Sequence, residues 1–383
     1  MQIVLFYHSL ISDWNHGNAH FLRGIVSELL RRGHQVLVYE PKDGWSRRHL
    51  LAQEGPGAVS ALYRSYPQLR GVSRDYELGT LDLDRVLDGA DLVIVHEWNE
   101  PELVAAVGRK RRHGRFRLYF HDTHHRAVSA PAAMAAYDLR DYDGVLAFGE
   151  SLRSVYLEND WAHQVWTWHE AADTALFRPH AQERRPGLVW IGNWGDGERA
   201  RELQTYLLEP ARRLELGATV YGVRYPDHAF EALARARAVY RGWLPNHAVP
   251  DVFSRYAVTV HVPRGPYARA LPGIPTIRPF EALACGIPLL CAPWNDCEGL
   301  FRCGTDYLAA RDGKAMTRLL RDVLEDRELA QSLARNGRQR IEERHTCRHR
   351  VDELLALDAG QSARASRLHS AGQALATAGG QAS

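Results

Sequence analysis

The chain has 383 residues, 45% of them apolar and 25% charged, with 48 basic against 46 acidic side chains for a net charge of +2. That composition is a globular one with material for two ordinary domains, and its charge balance provides no field to hold nucleic acid or an anionic membrane surface. The longest apolar runs, such as Ile3 to Tyr7 and Leu92 to Val95, fall far short of the ~20 residues a spanning helix needs.

The first run, residues 3–7, has no basic stretch or small-residue cleavage site around it and reads as a strand, not a signal peptide. A polar loop from Ser12 to Asn18 follows. Then Phe21, Leu22, Ile25, Val26, Leu29 and Leu30 recur at helical spacing up to Gly33, and Gln35 to Tyr39 forms a second strand. This is one βαβ unit, with a right-handed crossover expected. Strands at 92–95, 116–120 and 144–148 continue the series as short apolar runs, the pattern of a parallel sheet buried on both faces. A second series is predicted at 188–191, 219–223, 238–241, 257–262, 288–292 and 306–309, and helices from Met316 onward. The fold class is therefore α/β, two Rossmann-like doubly wound domains facing each other. Residues 1–178 form the first, 179–358 the second, and 359–383, reduced to Ala, Gly, Ser and Gln, a disordered tail.

Ligands of such sheets bind at the carboxyl edges of the strands, so the loops there carry the candidate chemistry. After strand one, Gly17 and Asn18 stand at a helix start, where backbone amides approach an anion; the Gly-x-Gly-x-x-Gly pattern of a dinucleotide site is absent. After residues 92–95, Glu97 is a candidate for holding a hydroxylated acceptor and Trp98 for stacking on a sugar. After residues 116–120 comes His121-Asp122-Thr123-His124-His125, which offers a general acid or base; a metal site is the weaker alternative, since adjacent imidazoles need not converge. In the second half Asn193 lies in a glycine-rich loop, and Arg199 falls in the first turn of a helix expected from Glu198. An arginine there is unfavourable beside the helix dipole unless an anion binds. From Gly273 to Leu290 a glycine- and proline-led helix carries Arg278 and Glu281, ends at Gly286 and passes into a buried strand. A carboxylate there suits vicinal hydroxyls, and an arginine suits a diphosphate. The cysteines at 285, 291, 297 and 303 match no zinc spacing and are expected to be small buried hydrophobes. Together with Cys347 they imply a reduced, cytoplasmic protein.

The run Phe280-Glu281-Ala282-Leu283-Ala284-Cys285-Gly286-Ile287-Pro288 resembles the signature of group-1 glycosyltransferases with the GT-B fold. The Arg278-Pro279-Phe280-Glu281 form, with Ala334-Arg335-Asn336-Gly337-Arg338 and the segment His345 to Arg350, resembles the CgeB-like branch. Ala172-Asp173 and Phe177-Arg178-Pro179 keep the spacing of that family's interdomain segment. The resemblance implies a sugar moved from a nucleoside diphosphate to an acceptor hydroxyl, with retention of configuration and no metal or other cofactor. It implies that Glu281 grips the ribose, that Gly17, Asn18, Asn193, Arg199 and Arg278 bind the donor, and that His121, Asp122 or His124 serve the transferring sugar. The acceptor would be a glycan, a lipid-linked glycan or a small molecule. One departure is plain: Gly273 stands where the family's first motif glutamate contacts the donor sugar. A non-hydrolysing nucleotide-sugar epimerase and a non-catalytic binding protein are the rival readings.

Overall fold

A computed structural model describes residues 1–357 except Glu183 and Asp196; the expected tail at 359–383 lies outside the described residues. The first half holds a seven-stranded sheet made of β1 (Gln2–Phe6), β2 (Gln35–Pro41), β3 (Ser73–Tyr76), β4 (Leu92–His96), β5 (Arg117–Asp122), β6 (Gly144–Ala147) and β7 (Val165–Thr167). Its order is β3-β2-β1-β4-β5-β6-β7. The second half holds β8 (Arg185–Ile191), β9 (Ala218–Tyr221), β10 (Val239–Tyr240), β11 (Tyr256–His261), β12 (Leu289–Cys291) and β13 (Leu308–Ala309), in the order β10-β9-β8-β11-β12-β13. Every pairing is parallel. In each sheet the order reverses once, between β1 and β4 and between β8 and β11, and these switch points are where crevices open.

Two strands have no counterpart in the sequence reading. β3 (Ser-Arg-Asp-Tyr) and β7 (Val-Trp-Thr) are the outermost strands of the first sheet, so they need no aliphatic run to be covered on both faces. β5 is longer than expected, and His121 and Asp122 are its last two residues instead of loop residues; His121 pairs with His96 and Asp122 with Ala147. The helix expected from Glu198 begins at Ala200, leaving Arg199 just outside it.

The helix Ala19–Arg31 shows how the first core closes. Phe21, Leu22, Ile25, Val26 and Leu29 are all buried against the sheet. At about 1.5–3 kcal/mol for each large apolar side chain, they contribute on the order of 10 kcal/mol as an upper figure. Gly24 is the point of closest approach on this helix: a Cβ there would sit 2.4 Å from Cys347 Sγ and 2.9 Å from Asp173 Cβ. The neighbours at this point come from distant parts of the chain. The helices Gly313–Glu325 and Arg327–Arg344, capped by Asp312 and Asp326 side chains, complete the second half. The chain then crosses back. Thr346 bridges to Ala172, and in the closing helix, 347–357, Cys347, Val351 and Leu354 join the core of the first half. All five cysteines are free; Cys285, Cys291 and Cys347 are buried, but Cys297 and Cys303 are exposed, because they fall in the loops around Asp296–Gly304 and not in an apolar element.

Candidate functional site

A cavity of about 520 Å³ lies between the two carboxyl edges and takes its lining from both switch points. The loops after β1, β4 and β5 form one wall. Those after β8, β9, β10 and β11, with the start of the helix Ile277–Ala284, form the other. The size is that of an ordinary small-molecule site.

The second-half wall is cationic. Arg199, Arg224, Arg264 and Arg278 line it, and among the described residues no carboxylate of this half does. Arg199 donates to the carbonyls of Val262 (2.7 Å) and Asn193 (2.6 Å), so it pins the loops after β8 and β11 to each other. Its guanidinium lies over Trp190 at 5.3 Å, and its Nε has no partner. Burial, with Arg264 nearby, lowers its pKa to about 10, which still leaves it charged at neutral pH. Arg264 is held by Glu198 at 2.5 Å. The helix Ile277–Ala284 opens on the cleft: Thr276, Ile277 and Arg278 all line it, and Thr276 takes a left-handed φ of 59° without capping the helix by its side chain. The uncapped amides of a helix start add positive potential on the arginine side.

Glu281 occupies a different place from the one expected. It is fully buried behind this wall, and its oxygens are already engaged. Oε1 accepts from Asn246 Nδ2 (2.7 Å) and lies 3.0 Å from His20 Nδ1, while Oε2 is paired with Arg278. Since the Asp173 amide donates to His20 Nε2 (2.8 Å), the ring proton sits on Nδ1 and faces the carboxylate. Burial pushes the Glu281 carboxyl upward, but Arg278, His20 and Asn246 outweigh it and hold it below the ordinary value. Glu281 thus meets the cleft only through Arg278 and Asn246, which do line it. Asp13 completes the junction, accepting from Arg23 (2.7 Å), Trp243 Nε1 (3.1 Å) and the Asn246 amide (3.1 Å). Asn15 and Asn193 also bond directly, one from each half. Gly17 is close to the opposite half as well, since a Cβ on it would lie 3.2 Å from Ile277.

The first-half wall is aromatic and, apart from Asp13, uncharged. Gly17, Asn18, Trp98 and His124, all expected at the site, line it, with His16 of the same loop as Gly17; so do His8 and Trp45, which were not expected. Asn18 is bonded to Thr123. Burial lowers the pKa of His8 to about 4 and takes His16 and His124 well below their ordinary value, so these imidazoles are uncharged at neutral pH. His121, Asp122 and Glu97 do not reach the cleft, because a residue at a strand's end or just beyond it can still turn into the layers beneath. His121 is fully buried, bonded to Tyr7 OH (2.5 Å), packed against Phe21 and Trp168 and lowered by burial to about 3. Asp122 accepts from Tyr156 OH (2.8 Å) and the His124 amide (2.9 Å), which fixes the loop that presents His124; burial raises its pKa to about 6. Glu97 is buried 3.5 Å from Arg126, its carboxyl raised well above the usual range by burial and by Asp122.

His8 follows β1 directly, so the strand-end rule that singled out Trp98 would have found it. Asp13, His20 and Asn246 carry no such signal, since each gains its role from a contact with the other half. Among the described residues no group of three His, Cys, Asp or Glu side chains is placed to hold a metal ion, and no helix is long and apolar enough to cross a membrane.

Residues 201–356 match a family model described as glycosyl transferase-like. No curated protein matches the chain. Among solved structures, HepE of Anabaena in complex with UDP-glucose superposes with a TM-score of 0.66 at 14% identity, over 93% of this chain and 99% of that one. A glycosyltransferase of Rickettsia africae gives 0.65 at 10% identity, over 93% and 97%. Sucrose-phosphate synthase of Thermosynechococcus elongatus gives 0.64 at 14% identity, over 95% and 100%. At these identities the likeness is one of fold, and the fold is GT-B: two doubly wound α/β domains facing across a cleft.

Proposed function

We propose that this chain is a group-1 glycosyltransferase of the CgeB-like branch that moves a sugar from a nucleoside diphosphate to an acceptor hydroxyl, with retention and without a metal ion. The observation that carries the reading is the second-half wall, where four arginines and an uncapped helix start line a cavity bounded on the other side by aromatic and amide groups and the already engaged Asp13. The bond that breaks joins the anomeric carbon to a diphosphate oxygen, and negative charge grows on that oxygen. Fixed cations and oriented amides stabilise such charge because they need no rearrangement at the moment of reaction. Arg199 and Arg278 hold the diphosphate, with Asn193, Gly17 and Asn18 beside it. Glu281 acts from behind by setting Arg278 and Asn246. The acceptor hydroxyl donates a hydrogen bond to an imidazole of His8, His16 or His124, uncharged at neutral pH, and as its oxygen bonds to the anomeric carbon its proton passes to the departing diphosphate oxygen. His121 and Asp122 keep positioning roles, through Tyr7 and through the His124 loop. The binding of UDP-glucose by the similar HepE makes UDP-sugars the first donors to test. Free thiols at all five cysteines fit a reducing, cytoplasmic setting.

The test is a thermal-shift panel of nucleoside diphosphates and nucleotide-sugars, followed by product analysis. Stabilisation by one donor, and diphosphate released only when an acceptor is added, is the expected result; NMR of the product's anomeric proton reads the stereochemistry. Interconversion of donor epimers without an acceptor would replace the proposal by an epimerase, and a response to no nucleotide would replace it by a non-catalytic protein.

A further inference from the structure

The two walls differ in charge as well as in origin. Among the described residues Asp13 is the only formally charged one of the first half that lines the cleft, and three donors already engage it. The rest of that wall is indole, imidazole and amide. Trp98 stays 41% exposed although it borders the cavity. It is not loose: the Arg126 guanidinium lies over its ring at 4.6 Å, and Arg126 is anchored by the Glu97 carbonyl (3.0 Å) and Tyr137 OH (2.7 Å). His124 meets the indole at 5.1 Å with the planes 67° apart, and His8 lies 6.3 Å away. Trp45 is braced in the same manner by Trp14 at 5.1 Å. Two fixed indoles thus line the cleft, with the rings of His8 and His124 packed near Trp98. His16 is 7% exposed and lines the cavity, yet its Nε2 has no partner, and neither has His124 Nδ1.

We propose that this wall binds a neutral saccharide, and that the acceptor is a sugar hydroxyl of an uncharged glycan whose ring stacks on Trp98. The inference rests on the reading of the opposite wall as the donor's. A pyranose presents an apolar C–H face to an indole and a rim of hydroxyls to its surroundings, and the wall around Trp98 offers imidazole and amide side chains from His8, His124, Asn15 and Asn18 to that rim. A flat apolar acceptor would cover those polar side chains without offering them hydrogen bonds, which costs free energy. A phosphorylated or phospholipid acceptor would bring an anion to a wall whose one charge is itself negative, and it would be drawn to the arginines opposite instead.

The test uses the full chain with UDP bound. Neutral disaccharides (maltose, cellobiose, sucrose and lactose), hexose 6-phosphates and phosphatidylglycerol vesicles are titrated and followed by tryptophan fluorescence and saturation-transfer NMR. At least one disaccharide should bind in the millimolar range and more tightly than the hexose phosphates. Trp98→Ala should weaken that binding at least tenfold, Trp98→Phe less than about threefold because an aromatic face remains, and both should keep wild-type affinity for UDP. Unchanged UDP affinity shows that the variants are folded. No disaccharide binding, tighter binding of hexose phosphate or of vesicles, or an unaffected Trp98→Ala variant would overturn the proposal. Saccharide binding that depends on Trp98 in a protein that does not bind UDP would refute the donor reading and leave this one standing.

Discussion

Replacing Glu281 by glutamine keeps the side chain's shape and removes its charge at the junction of the two halves. In the wild type the fully buried carboxylate faces Asn246, His20 and Arg278. A charge-assisted hydrogen bond contributes about 1.5–3 kcal/mol, and breaking a buried ion pair by removing one partner costs about 3–5 kcal/mol. The amide retains one acceptor oxygen, so Glu281→Gln should cost near the lower end, about 3 kcal/mol. For a cooperative unit of the size of one half, that corresponds to a Tm lower by roughly 6–12 °C. The pH dependence has a definite sign. The Glu281 carboxyl is held below its ordinary value of 4.5, against the upward push of burial, by Arg278, His20 and Asn246. Its contribution is therefore complete above about pH 4.5 and fades as the pH falls through the folded-state pKa. Differential scanning calorimetry of both proteins from neutral to acidic buffer should show a gap that is widest near neutrality and narrows in acid. A variant that melts within a degree of wild type at neutral pH, or a gap that widens in acid, would refute the assignment.

Three further outcomes are expected. Gly24→Ala should lower stability by about 1–3 kcal/mol in urea unfolding, the usual cost of overpacking, and Cys347→Ala in the same chain should recover part of it, because Cys347 Sγ is the atom met first. Arg199→Ala should weaken UDP binding at least tenfold by calorimetric titration, as the loss of one charge-assisted contact of about 1.5–3 kcal/mol implies; Arg199→Lys, keeping the charge but not both carbonyl bonds, should fall between. Burial raises Asp122 from 3.8 to about 6, so the folded state binds its proton more tightly than the unfolded chain, and wild-type stability should decline as the pH rises across that interval. Asp122→Asn should lessen the decline, and an equal slope in both proteins would contradict it.

The alternation of short apolar runs with helical stretches disclosed both sheets, because central parallel strands must be apolar on both faces. The same rule is silent on β3 and β7, whose outer edges have no neighbouring strand to cover them. At the site, strand-end position and the Arg278–Glu281 helix led to the cleft and to Gly17, Asn18, Trp98, His124, Asn193, Arg199 and Arg278 on its lining. What position along the chain does not give is depth. His121 and Asp122 belong to the same strand end as His124, yet they turn to opposite sides of the sheet and into packed surroundings. Glu281 lies three residues from Arg278 on one helix, and that single turn separates a buried group from one that meets ligand. The junction of Asp13, His20, Asn246 and Glu281 joins residues more than 200 positions apart, and such partners have no common local pattern.

The return of the chain after Arg344 has a mechanical consequence. Two covalent strands join the halves, one leading from β7 to β8 and one at 345–347, and they are tied together where Ala172 bridges Thr346: the Ala172 amide donates to the His345 carbonyl (2.9 Å) and the Cys347 amide to the Ala172 carbonyl (2.9 Å). A body attached at a single point can swivel in any direction, whereas one attached by two cords knotted side by side turns most freely about the line of the knot. Admitting a substrate would then resemble the swing of a gate on its post, with Asn15–Asn193 and Asp13–Trp243 among the contacts between the halves that have to part.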